Sequence, residues 1–144
     1  MDKLPSPDYL DLTYRADLDL LVARWMRHPC VAEMQHGYNL MLNAAASQGC
    51  VRWLIDARRR DHTNQSGIPW MMEVFYPQLA NRLQGRVFLA FLLAPVHLQV
   101  LEADTSLLPL SYFDTLPYQI GRFLEERAAI AWLDSHCSEA KGKL

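Results

Sequence analysis

"CVRWLIDA" at residues 50–57 decides the fold of this chain. The run is short and apolar, with Gly49 before it and the charges Arg58, Arg59 and Arg60 after it. Such a run reads as a buried strand in the middle of a sheet. "RVFLAFLLA" (86–94) reads the same way. It is apolar on both faces, as a parallel strand between two covering layers should be.

Between these runs, Ile68, Met72, Phe75, Leu79 and Leu83 recur in steps of four, three, four and four, which is one face of a helix. Pro77 falls inside that pattern and is expected to kink or divide it, and Gly85 to end it. Upstream, Met34, Tyr38, Met41, Leu42 and Ala45 mark a second helical face within 31–47, with Gly49 placed to stop it. Earlier still, "DYLDLTYR" (8–15) alternates like a strand with one wet face. "LDLLVARWMR" (18–27) fits a short helix or, better, the second strand of a hairpin turning near Ala16-Asp17.

Downstream, a helix is expected near Pro95 with Val96, Val100 and Leu101 inward. A Pro-punctuated apolar loop follows (107–117), then a strand at 118–124. A terminal helix at 125–137 has acids in its first turn and Ala129, Trp132, Leu133 and His136 along one side. The predicted order is ββαβαβαβα. It defines an α/β domain: one mostly parallel sheet of four or five strands with helices and an antiparallel N-terminal hairpin.

The chain has 144 residues, enough for one domain (1–137), and "SEAKGKL" (138–144) reads as a flexible polar tail. Hydrophobic residues make up 51%, so a core needs no staples. A net charge of -2 gives no global pull toward nucleic acid or anionic lipid. Three cysteines without a CxxC spacing argue against a disulfide framework and suit a reducing cytoplasm. "MDKLPSPDYL" has no signal-peptide pattern, and the longest apolar run, "VFLAFLLAPV", is ten residues, too short to insert across a bilayer.

Trp25 near the second strand, "WLIDAR" (53–58) on the central one, Trp70 opening the next helix, and Phe123, Ala128 and Ala131-Trp132-Leu133 at the end together carry a family likeness. With this order of elements, the chain resembles the STAS-domain, anti-sigma factor antagonist-like (STAS and Sec14-like) group of small bacterial proteins. The resemblance implies a STAS-like domain and a non-enzymatic regulatory or protein-interaction role in signalling. It also implies a phosphorylated serine at the start of the helix after the central strand. Ser66, in Gln65-Ser66-Gly67-Ile68, matches that place, although Gln65 stands where the family has an acid. Charge at a helix N-terminus is felt strongly, which would make such a switch effective. Against it, Pro69 favours the first helical position, and Ser66 then reads as an ordinary turn residue.

Arg58, Arg59 and Arg60 follow the carboxyl end of the central strand, the end that faces the ligand crevice of open α/β sheets. They read either as an anion-binding set or as a solvated charge run. Asp56 reads as a strand-end residue that bonds the loop or one of these arginines. Trp70, Met71, Met72, Phe75 and Tyr76 form a stripe too wide for one core face. Together with Leu110, Tyr112 and Phe113 of the apolar loop, Trp70, Met71 and Phe75 are candidates for a partner or ligand surface, or for the cover of a homodimer. The alternative is a loop that buries itself on the core.

A carrier or binder of a small apolar or amphipathic anion is the alternative function, drawn from the Sec14-like branch. An enzyme built on Asp56, His62 and Ser66 is a third reading, for which no mechanism demands the spacing. No histidine pair has metal-ligand spacing, and neither a GxSxG, a GxGxxG nor a P-loop is present. No metal or cofactor is therefore expected, and no nucleic-acid partner.

Overall fold

The computed structural model describes residues 2–60, 67–103 and 116–136. In chain order its elements are β1 (Asp2–Leu4), β2 (Leu10–Arg15), β3 (Leu20–Trp25), α1 (Val31–Gln48), β4 (Arg52–Asp56), α2 (Ile68–Trp70), a π-helical turn (Met71–Phe75), α3 (Tyr76–Arg82), β5 (Val87–Leu92), α4 (Pro95–Ala103), β6 (Tyr118–Phe123) and α5 (Glu126–Ser135). The strands lie in one sheet in the order β1-β2-β3-β4-β5-β6. β1, β2 and β3 pair antiparallel, and β3 through β6 pair parallel.

Both apolar runs are interior, same-direction strands, paired from Arg52↔Phe88 to Asp56↔Leu92. All five residues of β4 are buried, because strands hem it on both edges and helices on both faces. Strand alternation sorts its side chains. Trp53 turns toward the crossover helices, where Phe75 meets it edge-on at 6.1 Å between ring centroids. Arg52 turns toward α5 and donates from Nη1 to the carbonyl of Leu133 at 3.2 Å. A second bond, from Arg52 Nη2, reaches the Leu18 carbonyl in the β2–β3 turn. This buried cation thus ties the carboxyl end of α5, where the helix dipole favours positive charge, to the hairpin.

A strand order that follows the chain, with right-handed crossovers, stacks successive crossover helices on one face. Accordingly Trp25 and Tyr38 (5.5 Å) pack on that face, while Phe88 meets Trp132 of α5 (5.9 Å) on the other. The face of α1 expected from periodicity is the buried one: Met34, Tyr38, Met41, Leu42 and Ala45, with Gly37 added. Gly37 lets α1 settle onto the sheet, since a Cβ there would lie 2.4 Å from Trp25 Cη2. Gly49 ends α1 in the left-handed region (φ 63°), where it costs no Cβ clash.

Three details differ from expectation. β1 is an added edge strand that gives the sheet six strands; three residues are too few to leave a periodic signal. The helix around Pro77 is divided, as expected, but the dividing element is a π-helical turn, with Pro77 in the first turn of α3. Proline lacks the N–H that would close an ordinary turn, and the chain widens just before it: the Tyr76 N–H bonds back to the Met71 carbonyl, a π-type step. The Val74 carbonyl is taken by the Gln78 side chain at 3.1 Å. In α4, Val96 points outward while Leu98 and Leu101 pack on the core. No helix among the described residues is long and apolar enough to cross a membrane.

Candidate functional site at the carboxyl rim of the sheet

The parallel strands β3 through β6 all finish at one rim, where open α/β sheets bind ligands. Alternation divides the residues that arrive there between the two faces.

On the α5 face, Arg24 and Asp56 are register partners on β3 and β4. Asp56 Oδ1 accepts from the Arg58 backbone N–H (3.2 Å) and from Arg58 Nε (2.9 Å). Its Oδ2 accepts from Arg58 Nη2 (2.8 Å) and Arg24 Nη1 (3.0 Å). Arg24 Nη1 also donates to Glu126 Oε1 at 2.8 Å, so α5 is pinned into the same network. Burial alone would raise the Asp56 pKa; the Arg58 and Arg24 bonds outweigh it and hold the carboxyl below its ordinary value. Asp56 is thereby a saturated, ionised structural acceptor, and the fork of Arg58 is engaged. A shallow groove of about 200 Å³ opens on this face beside β2 and β3, with Thr13, Arg15, Val22, Arg24, Glu126 and Ile130 in its lining.

On the face of the crossover helices, Arg60 is half-buried. Its guanidinium lies over the indole of Trp25, 5.7 Å from the ring centroid, with Nη2 3.7 Å from Met34 Sδ. Among the described residues, Arg60 Nε is buried without a hydrogen-bond partner, and so is the Trp25 indole Nε1. The Tyr38 hydroxyl lies near both. Burial pushes its pKa up, against the opposing charge of Arg60. An unpaired buried donor costs about 1–3 kcal/mol, which an arriving acceptor would relieve. Arg59 is exposed, with Nη1 3.4 Å from the Met26 carbonyl. No carboxylate among the described residues pairs with Arg59 or Arg60. The nearby Glu33 is already taken by Arg27 (2.8 and 2.7 Å) and by the Cys30 N–H, which hold its pKa down to about 2.

The same rim carries exposed apolar side chains. Met26 (40% exposed) follows β3, Leu124 (45%) follows β6, and Val31 (53%) and Val96 (51%) open the helices after β3 and β5. Large exposed apolar side chains at one edge mark a contact surface more than scattered ones do.

The three adjacent arginines are therefore not one set: Arg58 belongs to the Asp56 network, and Arg59 and Arg60 point elsewhere. Met71 and Phe75 lie in the core, where Phe75 touches Tyr38, Trp53, Trp70 and Tyr76, and Trp70 is half-buried against it. Ser66, His62, Leu110, Tyr112 and Phe113 lie outside the described residues, as do Cys137 and the tail. Arg24, Met26, Val31 and Glu126 went unsingled in the sequence. Arg24 had one signal, a charge at the third of the alternating positions 20, 22 and 24, which implies a partner on the neighbouring strand. Cys50, at the other end of the sheet, is buried, and its thiol is pushed up to about 11, so it stays protonated. The described residues contain no cluster of three metal-ligating side chains.

The sequence matches no family model, and neither the curated proteins nor the solved structures yield a significant match.

Proposed function

We propose that this chain is a non-enzymatic interaction domain, STAS-like in organisation, that engages a protein partner through the carboxyl rim of its parallel strands. One observation carries this. Of the five large apolar side chains exposed among the described residues, four (Met26, Val31, Val96 and Leu124) stand at that rim, and Val74 alone lies elsewhere. A partner burying them would gain about 25 cal/mol for each Å² of apolar surface covered. The acid at the strand end supports a binding rather than a catalytic role, because its lone pairs are already filled by Arg58 and Arg24. Ser66 stands two residues before α2 in the chain, with Gly67 between them. Under the family resemblance its phosphorylation would regulate binding, and unequal partner affinity of Ser66→Asp and Ser66→Ala would reveal that.

The test is affinity capture from the native cell with three baits: the unaltered chain, the double variant Met26→Glu/Val31→Glu, and Val74→Glu. The rim variant should lose a defined partner that Val74→Glu retains. Equal capture by all three baits would remove the rim as the interface.

A further inference from the structure

We propose that Arg60, flanked by Arg59, forms a binding site for a small molecule's oxyanion, a phosphate or carboxylate group, at the carboxyl rim of the sheet. This does not depend on the protein-partner reading, since it stands on the unspent donors and not on the apolar fringe. The chain presents several arginines near the rim, and their engagement differs. Arg24 and Arg58 converge on Asp56, and Arg27 on Glu33. Arg59 and Arg60 have no carboxylate partner among the described residues.

Arg60 is the recessed member of the pair. Its guanidinium is fixed from below by the Trp25 indole and at Nη2 by the Met34 sulfur. These contacts are soft ones that leave the planar donor fork without a strong acceptor. Among the described residues its Nε has no acceptor, and neither does the indole N–H of Trp25. Donors without acceptors among the described residues have a deficit that an oxyanion would fill, supplying the opposite charge as well. The indole is itself held: Tyr9 stacks on it at 6.3 Å and Tyr38 tilts against it at 5.5 Å. The fork is thus pre-positioned, and binding would cost little further ordering of the side chain.

The experiment is a titration of the isotope-labelled full chain with inorganic phosphate and, separately, with sodium acetate, at constant ionic strength held by chloride. Nitrogen–proton correlation spectra follow the Trp25 indole N–H and the Arg60 Nε–H. Phosphate should move both signals saturably, with acetate weaker, because phosphate brings more charge and more acceptor oxygens to the fork. Arg60→Met, which keeps an unbranched chain beside Trp25 and Met34, should weaken binding at least about tenfold, the loss of one charge-assisted fork. Arg58→Met should change it less than about twofold, since that fork is spent on Asp56. Should Arg60→Met fail to fold, Arg60→Lys keeps the charge without the fork, and binding should fall several-fold. Shifts that rise linearly without saturation, or affinity that survives in both Arg60 variants, would overturn the proposal.

Discussion

Gly37→Ala should destabilise this chain, although alanine is the better helix former. Gly37 sits in the interior of α1, where Ala would ordinarily be favoured by about 1 kcal/mol. Here the new Cβ would fall 2.4 Å from Cη2 and 3.0 Å from Cζ3 of Trp25, and 3.3 Å from Leu10 Cδ2. The indole cannot step aside, being fully buried and boxed by Tyr9, Tyr38 and the Arg60 guanidinium. Forcing a methyl into a filled core costs about 1–3 kcal/mol, and a contact this short with a rigid ring belongs in the upper half of that range. Net of propensity, we expect a loss of about 1–2 kcal/mol. Urea denaturation read by tryptophan fluorescence and far-ultraviolet circular dichroism would measure it, as a lower midpoint at unchanged slope. The double variant Trp25→Phe/Gly37→Ala supplies the control, because phenylalanine lacks the ring atoms that clash. In that background the alanine should be neutral or stabilising, giving a positive coupling between the two sites. A Gly37→Ala chain more stable than the parent by about 1 kcal/mol would refute this packing of α1 on β3.

Asp56→Asn should cost about 1–3 kcal/mol at neutral pH, since it removes the charge that Arg58 and Arg24 share. The Asp56 pKa is depressed in the folded chain, so its contribution is full above the unfolded value of about 4 and fades as pH falls through the folded value. Stability curves of the two chains, measured by denaturation at each pH, should therefore converge below about pH 4. In a Cys137→Ser background, a thiol reagent at pH 8 should modify one cysteine, the exposed Cys30, in the native chain and two after unfolding. Rapid native reaction of Cys50, whose thiol burial holds at about 11, would contradict its placement.

The parallel heart of the fold was legible because the apolar centres of β4 and β5 form short continuous runs, and because α1 keeps one apolar stripe that Gly49 cuts off. The hairpin was legible from alternation in Leu10–Arg15. β1 was not, since edge pairing is a backbone property that three residues cannot advertise. The π-helical turn was also hidden: it makes room for Pro77, and side-chain periodicity carries no sign of a single widened turn. The site was legible in part. The arginine run pointed to the right edge of the sheet. Which arginine would be spent on Asp56 and which left over depends on side-chain directions after the strand ends, where periodicity stops. The apolar fringe of Met26, Val31, Val96 and Leu124 is assembled from three separate strand–helix junctions, and no local stretch reveals it.

The rim itself is tested most directly by photo-crosslinking in the native cell, with a benzophenone side chain placed at Met26 in one chain and at Val74 in another. Both positions are exposed, at 40% and 42%, so they differ in place and not in access. A discrete protein adduct formed from position 26 and absent from position 74 is the predicted result. The same adducts from both positions, or an adduct from position 74 alone, would contradict it.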